Sequence, residues 1–224
     1  MISDRAAFEQ AVLDPTAAES RVRVCEVLAL DLQQLGHDLW VDGWGQQDDW
    51  TRGLGTVIQV GAALAMGSVT LLLADQHYPA AALKRQLVEV EYLADAFEHD
   101  EALARSWLTS SPEQLRELFS PAAMRKVADG RFRNSEYWRH CESGGHPHPR
   151  GAHLLPCHGS VVANNRWLWG DLAQHLDRLW RSLHAALDGQ ASPANRSPGV
   201  LAALADWYAA DSLARGISLS PGFA

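Results

Sequence analysis

Apolar residues recur along most of this chain at the three- and four-residue spacing that lines one face of an α-helix. From Ala17 to about Trp40 they fall at Val24, Val27, Leu28, Leu32, Leu35 and Leu39. Beyond Pro79, the residues Leu83, Leu87, Val90, Ala94 and Phe97 step by four, three, four and three, the seam of a helix in a bundle. Leu168, Leu172, Leu176, Leu179, Leu183 and Leu187 mark another long helix over about Asn165 to Asp188, closed by Gly189. No alternating pattern of useful strand length stands outside these runs. The pattern predicts an all-α helical bundle, with four or five core helices and short connecting ones, in a single domain over residues 1–224.

Punctuation residues divide the rest. A first helix is expected from Asp4 to Leu13, ending before Pro15, with Thr16 as N-cap of the next. Residues 41–53, rich in Gly, Asp, Gln and Trp, read as a loop. Ser111-Pro112-Glu113-Gln114 has the form of a capping box with proline at the first helical position, and Ser120-Pro121 repeats the device. A short helix is expected from about Arg133 to Glu142, ended by Gly144-Gly145. Residues 143–162 then read as a loop rich in His, Gly and Pro. Residues 189–198 read as a linker to a last helix from about Pro198 to Gly216.

Leu54 to Ala74 carries no charge and is long enough to span a bilayer. Thr56, Gln59, Ser68 and Thr70 interrupt it, so a helix buried on all sides of a bundle is the expectation, and no membrane partner. The chain begins without an apolar leader, and its three cysteines form no disulfide framework, which together point to a reducing cytoplasm. A net charge of −8 argues against nucleic-acid binding over the whole surface. Residues 121–150 differ: Arg125, Lys126, Arg131, Arg133, Arg139 and Arg150 outnumber Asp129, Glu136 and Glu142.

That basic segment runs into the densest candidate chemistry. His140, His146, His148, His153 and His158 fall within nineteen residues of one another, with Cys141 and Cys157 among them. Imidazole and thiolate are zinc ligands, which makes Cys141, His148 and Cys157 weak metal candidates with His146, although no C-x-x-C or H-E-x-x-H spacing is present. No cofactor motif appears. The second reading is phosphoryl chemistry without a metal. It needs a base for a ribose 2′-hydroxyl and a fixed cation for the phosphate. Arg139 with His146, or Arg133 with His140, supply both types across six intervening residues.

Arg133-Asn134…His140 resembles the arginine–polar…histidine motif of the HEPN superfamily of helical-bundle proteins. The resemblance implies a metal-independent RNA endonuclease of a toxin–antitoxin or defence system, acting on RNA as a homodimer. Arg85 and Glu89, with Tyr137, Ser143 and His146-Pro147, also resemble an uncharacterised family of bacterial helical proteins that pairs an Arg-x-x-x-Glu helix with a later Tyr…Ser…His-Pro segment. This resemblance makes Arg85, Glu89, Tyr137 and Ser143 supporting residues. A non-catalytic helical binding module, such as an operon partner, is the alternative.

Overall fold

The computed structural model describes residues 5–188 and 197–214. They form ten α-helices and, among the described residues, no strand. The helices are α1 (Arg5–Leu13), α2 (Pro15–Gln46), α3 (Asp49–Leu73), α4 (His77–His99), α5 (Glu101–Thr109), α6 (Pro112–Leu118), α7 (Pro121–Val127), α8 (Asn134–His140), α9 (Val161–Asp188) and α10 (Pro198–Ala210). A π-helical turn (Cys141–Gly145) and a 3-10 helix (Pro149–Leu154) join α8 to α9. The all-α bundle expected from periodicity is the fold observed.

The core lies between α2, α3, α4 and α9, with α10 against α2. Leu28 and Leu32 of α2, Ile58 of α3, Leu87 of α4 and Leu172, Leu176 and Leu179 of α9 are all fully buried. All but Ile58 are residues whose spacing marked the helices, and their burial is the main force holding the bundle.

Residues 41–53 are not a loop. α2 runs on to Gln46 and α3 starts at Asp49, so only Gln47, in the left-handed region (φ 57°), and Asp48 turn the chain. Asp48 caps α3 by accepting from the backbone N–H of Trp50 and Thr51. The glycines serve close approach rather than chain breaking. A Cβ on Gly55 would lie 2.7 Å from the Trp40 nitrogen, and one on Gly43 would lie 2.7 Å from the Arg52 nitrogen. These pairings run antiparallel, so α2 and α3 form a tight helical hairpin. Trp40 and Trp44 meet edge-on at 5.8 Å, and Arg52 stacks on Trp44 at 4.4 Å.

Other boundaries shift for similar local reasons. Asp14, not Thr16, caps α2, accepting from the N–H of Thr16, with Pro15 at the first position. α4 begins two residues before Pro79, which still falls in the first turn, where its missing N–H leaves no bond unmade. The capping box at Ser111 forms as expected. α10 ends at Ala210, because Asp211 leaves the helical conformation, and the expected end at Gly216 lies outside the described residues. Most of the expected linker, residues 189–196, lies outside the described residues. α3 is long and apolar enough to cross a membrane. It is not buried on all sides, however, since Val60, Ala63, Thr70 and Leu73 form an exposed stripe.

One buried ion pair ties the ends together. Arg21 of α2 donates from Nε and Nη2 to the two oxygens of Asp211 at 2.6 and 2.9 Å. Its remaining N–H groups reach the carbonyls of Val12 at 2.9 Å and Ala11 at 3.1 Å. Asp211 also accepts from Trp207 Nε1 and the Leu213 N–H.

Candidate functional site

Three helices carry ionisable groups on the faces they turn toward each other. α9 contributes Asp171, His175 and Arg178, spaced by four and three along one face. α4 contributes Lys84 and Glu91, two turns apart, and α8 contributes Glu136 and His140, one turn apart. All lie in or at the edge of the core, with His140 only 2% and His175 1% exposed. Charged groups this deep must be paired, and they are. Lys84 Nζ donates to Asp171 Oδ2 at 2.5 Å. Arg178 approaches Glu91 Oε2 at 3.1 Å and donates to Glu136 Oε1 at 2.7 Å.

The two histidines occupy the centre. Their Nε2 atoms face each other at 3.0 Å, with the rings edge-on at 69°. On the far side of His175, Nδ1 contacts Glu91 Oε1 very closely and lies 2.7 Å from Arg178 Nη2. One ring nitrogen cannot both donate to the carboxylate and accept from the guanidinium. Arg178 already has two carboxylate partners, so we assign the proton to Nδ1, donated to Glu91. On the far side of His140, Nδ1 lies 3.8 Å from Asp171 Oδ2. His175 is therefore held at Nδ1 by a carboxylate, His140 has one only beyond hydrogen-bond reach, and the two Nε2 atoms lie within hydrogen-bond distance of each other. Glu136 completes the group: its carboxylate oxygen and a nitrogen from each ring all lie within 4.8 Å of one another.

The electrostatics follow from burial. Desolvation pushes the His140 pKa down to about 3, against the pull of Asp171, so the ring is neutral. Burial opposes ionisation of Asp171, but Lys84 first, then the histidines and Arg139, hold its pKa well below the usual range. Glu136 is likewise lowered, because Arg178 outweighs its desolvation.

The residues singled out by sequence separate into distinct places. Arg133 is the exposed N-cap of α8 and makes no capping bond, whereas His140 is buried at the other end, about 10 Å along the axis. Arg139 is half exposed and reaches Asp171 Oδ1 only at 4.0 Å. His146 is exposed, and its carbonyl accepts from the Tyr78 hydroxyl at 3.3 Å. Gly144-Gly145 do not stop the chain after α8 but widen it into the π turn, where the His146 N–H bonds the Cys141 carbonyl. Packing on α4 requires these glycines: a Cβ on Gly144 would sit 2.7 Å from Ala81 Cβ, and one on Gly145 would clash with Arg85. The expected loop 143–162 is thus partly helical, through this turn and the 3-10 helix.

Arg85, Glu89 and Tyr137 do converge. Arg85 pairs with Glu89 at 2.6 Å and donates to the Tyr137 hydroxyl at 3.0 Å, which lies 3.3 Å from Glu89. Arg125 stacks on the Tyr137 ring at 4.4 Å. These contacts fasten α8 to α4. The sulfur and histidine candidates for zinc do not gather: Cys141 is buried, Cys157 is exposed, and His148 Nδ1 accepts from the Arg150 N–H to cap the 3-10 helix. Among the described residues, no metal-sized group includes Cys141, His146, His148 or Cys157.

Only His140 of the central cluster was anticipated from sequence. Lys84, Glu91, Glu136, Asp171, His175 and Arg178 were not, although a signal existed. Lys84 and Glu91 flank Leu87 on α4 within the core-facing seam, and Asp171 and His175 flank the leucine stripe of α9. No protein-family model matches the chain, and no curated protein or solved structure is significantly similar to it.

Proposed function

We propose that this protein binds one divalent transition-metal ion between His140, His175 and Glu136 and uses it as a reactive centre. The observation that carries the reading is that a nitrogen from each of two imidazoles and a Glu136 oxygen gather within 4.8 Å of one another, with the His175 ring held at Nδ1 by Glu91. A carboxylate behind Nδ1 favours the tautomer with its proton there, which leaves a lone pair on Nε2. That lone pair can take a proton from His140 Nε2 or, when His140 presents its own lone pair, share a metal ion with it. The carboxylate–histidine arrangement is the one that orients metal-binding imidazoles and raises their basicity.

Two imidazoles and one carboxylate suit zinc or ferrous iron. Three protein ligands leave a coordination position for water or substrate, unlike the closed four-ligand set of a structural zinc. The chemistry on offer is polarisation of a bound oxygen or activation of a bound water. Asp171 Oδ1, 3.8 Å from His175 Nε2, stands beside the site as an ionised carboxylate held by Lys84, where it would accept a hydrogen bond from such a water.

The test is elemental analysis of the purified full chain, with thermal unfolding recorded before and after reconstitution with zinc or ferrous iron. The expected result is about one equivalent of metal and a raised melting temperature, both lost in His175→Gln and Glu136→Gln. Wild-type protein that takes up no metal and does not shift would refute the centre and leave a hydrogen-bonded histidine pair. RNA cleavage that persists in EDTA and disappears in His140→Ala or His146→Ala would instead support the metal-independent endonuclease.

A further inference from the structure

A cavity of about 510 Å³ opens at the end of α9 nearest its start, within the range of small-molecule sites. Its apolar wall is Val12 and Leu13 of α1 with Ala163 and Trp167 of α9, and Arg139 and Ser143 stand opposite as polar lining. The other polar residues at its edge are engaged. Asn164 donates to the His153 carbonyl at 2.6 Å, His153 Nδ1 lies 2.5 Å from the Arg150 carbonyl, and Glu9 has a partner. Arg139 is different. It makes no hydrogen bond among the described residues, and its nearest carboxylate oxygen is 4.0 Å away on Asp171, whose other oxygen is held by Lys84. A half-exposed guanidinium with five donors, none of them bonded to a described residue, beside an apolar wall matches an anionic head group on an apolar body.

The cavity also adjoins the proposed centre. Trp167, Asp171 and His175 follow one another at four-residue steps on the same face of α9, about 6 Å apart along the axis. Trp167 stacks on the Lys84 ammonium at 5.0 Å. Asp171 Oδ1 lies between the cavity and the histidines, 4.0 Å from Arg139 and 3.8 Å from His175 Nε2. We infer that this cavity is a binding site for a small amphipathic anion, a carboxylate or phosphate ester whose head group Arg139 holds and whose apolar part lies against Trp167, Val12 and Leu13. Its role as substrate site for the metal rests on the reading above; the binding itself does not.

Calorimetric titration of the full chain, dialysed against EDTA, with hexanoate, hexyl phosphate and hexanol tests it. One anion binds per chain, at least tenfold more tightly than hexanol. Arg139→Gln weakens the anion at least tenfold and leaves hexanol unchanged, and Ala163→Phe, which fills the cavity from an already helical position, abolishes both. The tighter of the two anions identifies the head group. No saturable binding, equal affinity for hexanol and the anions, or wild-type affinity in Arg139→Gln would overturn the inference. Because the protein is metal-free, binding here together with no metal uptake in the elemental analysis would sink the metal centre alone.

Discussion

Two buried charged clusters share this bundle, and they are finished differently. At Arg21 and Asp211, each guanidinium nitrogen has an acceptor, and both aspartate oxygens take two hydrogen bonds. At His140 and His175, Glu91 is bonded at the His175 Nδ1, but His140 Nδ1 lies 3.8 Å from Asp171, and the two inner nitrogens meet only each other, at 3.0 Å. The same fold, under the same pressure to satisfy buried polar groups, saturates one cluster and leaves the other with a histidine pair held by a single exchangeable contact. Closure is what a structural pair needs. Two ring nitrogens bonded only to each other can be given over to a ligand.

The largest effect expected from this contrast is at the closed cluster. Asp211→Ala strands the Arg21 charge in the core and should cost about 3–5 kcal/mol in denaturant-induced unfolding. Replacing both partners by apolar residues, Arg21→Met with Asp211→Leu, should recover most of that loss, because the penalty belongs to the unpaired charge rather than to a missing attraction. If Asp211→Ala is nearly neutral, the pair is not holding the C-terminal helix to α2, and the contrast between the clusters fails on its structural side.

The open cluster should respond less in stability and more in ligand affinity. Glu91→Gln keeps an acceptor near His175 Nδ1 but removes the charge that fixes its proton. Loss of such an outer-shell partner weakens metal binding by about 10–100-fold, or roughly 1.4–2.7 kcal/mol. Competition with a chromophoric chelator measures it. An unchanged affinity would mean that Glu91 serves Arg178 alone and that the histidine tautomer is set otherwise.

The same contrast explains what the sequence could and could not disclose. Leu87, Leu172 and Leu179 announced their helices because apolar spacing is a local property. Gly43 and Gly53 misled, since a glycine that admits a neighbouring backbone looks in sequence like one that breaks a helix. Arg85, Glu89 and Tyr137 were legible as a group and do meet. His140 was legible as a residue but was paired with the wrong partner. Arg133 lies on its own helix and in solvent, whereas His175 comes from thirty-five positions further on. Long-range pairing of this kind depends on which faces of α4, α8 and α9 turn inward together, and no spacing within one helix contains that. What could have been read is the intrusion of Lys84, Glu91, Asp171 and His175 into core-facing stripes, where a charge has to find a partner.

The smallest expected effect checks that burial, and not charge pairing as such, separates the clusters. Arg23 of α2 pairs with Asp206 of α10 at 3.2 Å, joining the same two helices as the Arg21 pair, but both side chains are about 60% exposed. In water the attraction is screened, and ordering two flexible side chains offsets much of it. Arg23→Ala should therefore change stability by less than about 1 kcal/mol, and the change should fade as salt is raised. Arg21 and Arg23 are two residues apart, and their carboxylates Asp206 and Asp211 are five apart. A loss in Arg23→Ala comparable to that in Asp211→Ala would mean that α10 is held by ionic contacts along its length, and the buried pair would have no special standing. A small, salt-sensitive loss would leave the single dry pair at its end as the ionic part of α10's docking, beside the buried Val200, Ala203, Leu204 and Trp207.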